Sequence, residues 1–360
     1  MSCRLIDDRF TARWIAEANE YSNYILGRIV SHNHDLYVVS TSETEMIAQV
    51  SGKLNFMADS VADYPVVGDY VMLDRKNSEH GNAIIHGILN RKSLFSRKAA
   101  GKNAQIQPIA ANIDTLFICM ALNNDFNLRR LERYISLAWE SNAIPVVVLT
   151  KSDLCSEITA RIEETEKVAL GIDIIITSNI EKNGHDDILN YLKPGMTVAF
   201  VGSSGVGKST LINLLTEDTH IATNEIRKDD RGRHTTTGRE LYITPNGAAV
   251  IDTPGMRELA MDTADVAKAF SDIEEIAKEC RFKDCKHEGE PGCAVRMAIK
   301  AGELDEARLR NCKKLDKEAK YEGLNSKQIE KEKIETMFAK VGGMKNAREL
   351  GKAKYKRDEW

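Results

Sequence analysis

No apolar run in this sequence approaches the roughly 18 residues that a membrane-crossing helix needs. The candidates, such as residues 146–149 and 198–201, read as buried strands. The opening residues, MSCRLIDDRF, are charged and lack the apolar stretch of a signal peptide, so a cytosolic protein is expected. Charge of one sign is also missing: 50 Lys and Arg against 54 Asp and Glu give −4. That balance excludes a histone-like chain that binds by charge alone, while leaving room for a local basic patch. Global disorder is excluded by 42% hydrophobic and 29% charged residues in 360, a length that suggests two or three domains. Structural disulfides are not expected in a reducing compartment. The seven cysteines are an odd number, and Cys3, Cys119, Cys155 and Cys312 are scattered ordinary thiols. Cys280, Cys285 and Cys293 are different: they fall within 14 residues, with His287 between them.

The chain changes pattern along its length. Residues 1 to about 20 read as a short helix or arm. Between Tyr24 and Arg97, five β-rich runs (YILGRIV, LYVVST, EMIAQVSG, DYVMLD, NAIIHGIL) are separated by turn signals. That number of short strands in so few residues predicts a small barrel of the OB type. The basic run Arg91, Lys92, Arg97, Lys98 and Lys102 then leads out of it, as a solvated linker or a nucleic-acid contact. From Asn112 on, apolar strands alternate with helices (IDTLFICMAL, NLRRLERYISLAWESN, IPVVVLT, SEITARIEETEKVALG, IDIIITS, HDDILNYL, TVAFVG), which predicts a parallel sheet covered on both faces. RELYIT and AAVIDT add two strands, and helices follow. The expected division is 1–99 for the barrel with its arm, 100–260 for the α/β domain, 261–335 for a helical domain, and 336–360 for a basic tail.

Gly202, Ser203, Ser204, Gly205, Val206, Gly207, Lys208 and Ser209 fit the phosphate-loop pattern G-x-x-x-x-G-K-[ST] at every required position, between a strand and a helix. The glycines let backbone N–H groups face phosphates, Lys208 supplies a point charge, and the Ser209 hydroxyl serves Mg²⁺. Thr210 follows as the next contact. Asp252-Thr253-Pro254-Gly255 ends the strand AAVI, where an Asp can hold the Mg²⁺ shell through water. Thr150, Lys151, Ser152 and Asp153 fit the guanine-reading pattern [NT]-K-x-D, because a carboxylate accepts from both the ring N1–H and the amino group of guanine. Thr150 stands in place of the more familiar Asn. Thr177-Ser178-Asn179, after the strand IDIII, is where a backbone contact to the guanine oxygen is expected, with Ser178 at its centre. The base-reading motif precedes the phosphate loop, so the motif order is 4-5-1-2-3, a circular permutation. The segment after Asp252 therefore leads straight into the C-terminal region.

With these motifs, the loop Arg231-Gly-Arg-His-Thr-Thr-Thr237 and the cysteine cluster, nearly the whole chain resembles the circularly permuted, ribosome-small-subunit-dependent GTPase A family. The resemblance implies an OB domain, a permuted GTPase domain and a zinc-binding domain. It also implies GTP hydrolysis stimulated by the 30S subunit during its late maturation, with 16S rRNA as a contact. The expected partners are GTP or GDP and that subunit, with no membrane and the protein a monomer. Rival readings are a GTPase acting on another RNA or a membrane partner, and an RNA-binding module whose nucleotide site is only structural.

The cluster reads C-x4-C-x-H-x5-C. Three thiolates (Cys280, Cys285, Cys293) and the His287 imidazole would close a tetrahedral, structural Zn²⁺ site. The position after DxxG, where many GTPases carry a water-orienting Gln, is Met256. His234 is the candidate to replace it. Thr236 is the candidate third Mg²⁺ ligand beside Ser209 and Asp252, with Thr235 and Thr237 as alternatives. Gly205 leaves no side chain where some potassium-dependent relatives use Asn.

Overall fold

The computed structural model describes residues 12–77, 81–98, 106–123, 125–178, 185–217, 239–253 and 269–320. The five expected runs form β1 (Ile25–Asn33), β2 (Leu36–Ser40), β3 (Glu45–Val50), β4 (Tyr70–Leu73) and β5 (Ala83–Ile88). β1–β2, β2–β3 and β4–β5 pair antiparallel, β3–β5 parallel, and β4 returns to β1. The barrel thus closes around Ile29, Val39, Met46, Ala48, Val71, Leu73 and Ile85, and closure leaves no open edge among these strands. Helix α1 (Ala12–Ala18) docks outside by stacking Trp14 on Tyr70, ring centroids 4.1 Å apart. Helix α2 (Gly52–Met57) follows β3 and was not expected; the Ser51 hydroxyl caps it by accepting from the Leu54 amide.

The second unit alternates as expected. Its elements are β8 (Thr115–Ala121), α3 (Leu128–Glu140), β9 (Ile144–Thr150), α4 (Ile158–Glu166), β10 (Ile174–Ile176), α5 (Asp186–Leu189), β11 (Thr197–Gly202), α6 (Lys208–Thr216), β12 (Glu240–Ile243) and β13 (Ala249–Asp252). The strand order is β10-β9-β8-β11-β13-β12, with β12 alone antiparallel to its neighbour. β8 and β11 are buried at every position, which is why they read as continuous apolar runs. One face of the sheet packs under α6 through Leu211, Ile212 and Leu215, the other under α3 through Leu131 and Ile135.

The basic run does not lead out of the barrel as a free segment. It enters a hairpin, β6 (Leu94–Lys98) with β7 (Ile106–Ala111), whose Phe95 and Ile109 are buried. The expected boundary at residue 99 falls between the two strands of this hairpin. Arg91 grips the buried Asp69 carboxylate with two N–H groups, at 2.8 and 2.7 Å, and also donates to the carbonyls of Ala62 and Tyr64. Lys92 pairs with Asp114 at 2.5 Å. Both charges are therefore spent inside the protein. Lys102 lies outside the described residues.

Barrel and GTPase sheet are continuous. Ser31 of β1 pairs with Glu240 of β12, so one eleven-strand sheet runs through both units. Arg28, buried in the seam, donates to the Thr197 hydroxyl at 2.6 Å. Gly68 sits there at φ +93°, and a Cβ on it would stand 2.3 Å from the Ala111 carbonyl oxygen, so no other residue fits without moving the hairpin. Among the described residues, the C-terminal helices α7 (Ser271–Ala277), α8 (Ala294–Ala301) and α9 (Glu306–Lys320) share one core with the sheet: Phe270, Val295, Leu309 and Leu315 join the cluster beneath α3.

Candidate functional site

The carboxyl ends of the parallel strands gather the expected motifs on one edge, where open α/β sheets bind ligands. β11 ends in Gly202 at φ +151°, and a Cβ there would lie 2.5 Å from the Cys119 carbonyl oxygen of the adjacent β8. Gly207 is the N-cap of α6 and no side chain caps that helix, so its first N–H groups are left for an anion. Lys208 is buried and donates to the carbonyls of Gly202 and Ser203, both at 2.9 Å. Burial lowers its pKa. Ser209 and Thr210 follow in the first turn, half-buried. Asp252 stands at the end of β13, in register with Phe200 of β11. Burial pushes its carboxyl up to about 6, against the opposing pull of Lys208.

The base-reading loop follows β9 and leans on the phosphate loop. Thr150 donates its hydroxyl to the Val206 carbonyl at 2.7 Å, and Lys151 donates to the Gly205 carbonyl at 2.7 Å. Lys151 holds a left-handed backbone, φ +59°, which turns the chain so that Ser152 and Asp153 form a short 3₁₀ turn. Ser178, after β10, donates to Asp153 Oδ1 at 2.8 Å and fixes that carboxylate. Thr150 thus has a use that an amide contact to a base would not give: it spans the two loops. Asn179 lies outside the described residues, as do His234, Thr235, Thr236, Thr237, Pro254, Gly255 and Met256.

One residue escaped the sequence reading. Asp125, in the loop after β8, accepts from the Ser203 hydroxyl at 2.5 Å and pairs with Arg130 at 2.9 Å. Burial opposes its charge, yet Ser203 and Arg130 hold its carboxyl below the usual range. The available signal was position alone, since Asp125 follows a parallel strand at the same edge as the other loops.

Cys280, Cys285, His287 and Cys293 come together, their ligand atoms all within 4.8 Å of one another. His287 Nδ1 lies 3.7 Å from Cys280 Sγ and 3.4 Å from Cys293 Sγ, and the last two sulfurs are 4.0 Å apart. A tetrahedral zinc with bonds of about 2.3 Å to sulfur requires sulfurs slightly under 4 Å apart, so the set fits a metal ion. The loop is shaped for it. The Glu290 carboxylate collects the amides of Lys286, Glu288 and Gly289, and the His287 carbonyl accepts from Arg296 Nε at 2.8 Å. Cys293 is also the N-cap of α8.

A network joins this region to the nucleotide unit. Glu132 of α3 is fully buried and accepts from Arg308 of α9 at 2.6 Å. Arg308 also grips Asp272 through two N–H groups at 2.8 Å and donates to the Ala269 carbonyl.

Comparison with known proteins agrees with this geometry. A family model described as RsgA GTPase matches residues 88–262. A model described as ABC transporter matches residues 186–350, a stretch that contains the phosphate loop. No helix among the described residues is long and apolar enough to cross a membrane. The small ribosomal subunit biogenesis GTPase RsgA 2 of Lactiplantibacillus plantarum is 46% identical over 99% of this chain and 100% of its own length. The small ribosomal subunit biogenesis GTPase RsgA of Methanosarcina acetivorans is 42% identical over 88% of this chain and 87% of its own. Among solved structures, YjeQ from Thermotoga maritima is similar with a TM-score of 0.59 and 26% identity, covering 81% of this chain and 97% of that one. YloQ, a circularly permuted GTPase, gives 0.56 at 24% identity, covering 82% and 95%, a likeness of fold.

Proposed function

Because this chain belongs to the RsgA family of GTPases, we propose that it hydrolyses GTP on the small (30S) ribosomal subunit and assists the late maturation of that particle. The observation that carries the reading is the contact between the two nucleotide loops, Thr150 to Val206 and Lys151 to Gly205. That contact supports reading the two loops as one nucleotide cradle.

In this reading the backbone N–H groups of residues 203–209 and the Lys208 ammonium bind the phosphates, with Thr210 behind them. Asp153 accepts from the paired donors of guanine, Lys151 lies along the base, and Ser152 and Ser178 complete its rim. Ser209, Asp252 and Thr236 hold Mg²⁺, Asp252 through water. That ion, when bound, neutralises charge on the phosphate oxygens. His234 orients the attacking water, since Met256 cannot. The cysteine and histidine cluster holds one structural Zn²⁺, supported by its donor set and spacing. The protein works in the cytoplasm as a monomer, with 16S rRNA among its contacts. Residues 1–99 serve as the barrel unit, 100–260 as the GTPase unit, 261–335 as the zinc unit and 336–360 as a basic tail.

The test is GTP turnover measured with and without purified 30S subunits. Slow turnover alone and a steep rise with subunits is expected. Turnover indifferent to subunits would redirect the protein to another target, and no turnover in either condition would leave the nucleotide site structural.

A further inference from the structure

Three basic side chains meet where barrel, hairpin and GTPase sheet join. Ser31 lies opposite Glu240 across the β1–β12 pair, so the next positions along the two chains set His32 beside Arg239. The Arg239 guanidinium donates to the Pro108 carbonyl of β7 at 2.9 Å. Pro108 is next to Gln107, which faces Arg97 across the hairpin and accepts from its Nε at 3.1 Å. All three basic residues are half-buried.

Among the described residues, none of the three takes part in an ion pair. Glu240 is adjacent to Arg239 in the chain, but neighbouring residues of a strand point to opposite faces, and its carboxylate accepts from the Tyr242 hydroxyl at 2.6 Å. His32 Nδ1 is buried without a hydrogen-bond partner. Burial, and then the neighbouring positive charges, weaken the hold of Arg239 and His32 on their protons. Burial and then Arg97 push Arg239 down to about 10. Burial and then Arg239 hold His32 below the ordinary histidine value. Cations held together in a partly desolvated seam are unfavourable until an anion joins them. The contrast with Arg91 and Lys92 is informative, because those two meet the carboxylates of Asp69 and Asp114, and among the described residues these three meet none.

We propose that His32, Arg97 and Arg239 form an anion-binding notch that takes a backbone phosphate of ribosomal RNA. The proposal rests on the reading that the partner is the small ribosomal subunit. Two guanidinium groups can meet a phosphodiester through charge-assisted N–H bonds, and the imidazole can add a third donor once the anion is present. In sequence the contiguous run 91–102 reads as a solvated linker or a nucleic-acid contact. The fold removes Arg91 and Lys92 from it and sets Arg97 with His32 and Arg239 from distant parts of the chain.

The experiment measures binding of the full-length protein, loaded with a non-hydrolysable GTP analogue, to purified 30S subunits between about 50 and 200 mM KCl. Wild type is compared with Arg97→Gln, Arg239→Gln, the double variant and the corresponding Lys variants. The double variant should bind about 10-fold or more weakly. Its plot of log affinity against log salt should be shallower by about 0.7–0.9 for each phosphate that is no longer neutralised. The Lys variants should keep most of the slope. Arg97→Gln should leave the melting temperature unchanged or raise it, since it relieves repulsion; a clear fall would make the cluster structural and overturn the proposal. If wild type binds with a normal salt slope and the double variant matches it, the notch is wrong while the family reading stands. If wild type itself does not bind, the family reading falls first. Weakened binding to 30S subunits with unchanged binding to protein-free 16S rRNA would assign the anion to a ribosomal protein carboxylate, against the proposal.

Discussion

Asp153 is held by Ser178 at 2.8 Å, so its oxygens are aimed before any base arrives. Asp153→Asn would set a donor against the donors of a bound guanine, and a hydrogen-bonding group mispaired once a ligand covers it costs about 1–3 kcal/mol. GTP affinity measured by titration calorimetry should fall roughly 5- to 150-fold, with the fold intact by circular dichroism; an unchanged affinity would remove the guanine assignment. His32 gives a pH effect whose sign is fixed. Its folded pKa lies below the ordinary 6.5, first through burial and then through Arg239. The unfolded chain therefore binds a proton that the folded chain resists, and the contribution of neutral His32 is present above 6.5 and is lost as pH falls through the folded value. His32→Gln should flatten the fall of melting temperature between pH 7 and 5. A slope equal to that of wild type would show that His32 charges without penalty.

Two arrangements between elements carry the C-terminal helices. Arg308 of α9 is the only cation paired to the fully buried Glu132 carboxylate besides Arg129 among the described residues, and it also binds Asp272 at the start of α7. Arg308→Ala leaves Glu132 buried beside the weaker, more exposed Arg129. Breaking a buried pair in this way costs about 3–5 kcal/mol. Urea unfolding should show a lowered midpoint, and α7 and α9 should lose protection against hydrogen exchange before the sheet does. The cysteine loop is the second arrangement. If the cluster holds zinc as proposed, Cys285→Ser should release it, read by metal analysis of chelator-free protein, and loosen residues 280–301. Lys208 and its neighbours should keep their nucleotide affinity, because among the described residues no contact of the phosphate loop runs through the cluster.

At the scale of the whole molecule, β1 belongs to the barrel and to the GTPase sheet at once, through β4 and β12. Cutting the chain near residue 100 would split the β6–β7 hairpin, remove β1 from the outer edge of β12 and leave Thr197 and Asp114 without Arg28 and Lys92. A newly exposed strand edge promotes association. The fragment 101–360 should therefore melt lower than the full chain and elute as higher oligomers in size-exclusion chromatography. A monomeric fragment of unaltered stability would show that the shared sheet contributes little.

Local chemistry was readable without a fold. The glycines and Lys of the phosphate-loop pattern, the TKSD turn, the closely spaced cysteines and the apolar strand runs each depend on neighbours within a few residues, so their spacing alone marked them as candidates. The permuted order was equally plain, because it is a property of the chain. The partners of charges were not readable. Arg91 and Lys92 look in sequence like Arg97 and Arg239, and only the fold brings Asp69 and Asp114 to the first pair and, among the described residues, none to the second. Asp125 meets Ser203 from 78 residues away, and Glu132 meets Arg308 from 176. Such contacts are set by which strands lie side by side, and strand order in the sheet differs from order in the chain. The sequence by itself set out the order and spacing of the loop motifs; the tertiary structure decided which charges meet a carboxylate among the described residues, because neutralisation depends on distances that only packing fixes.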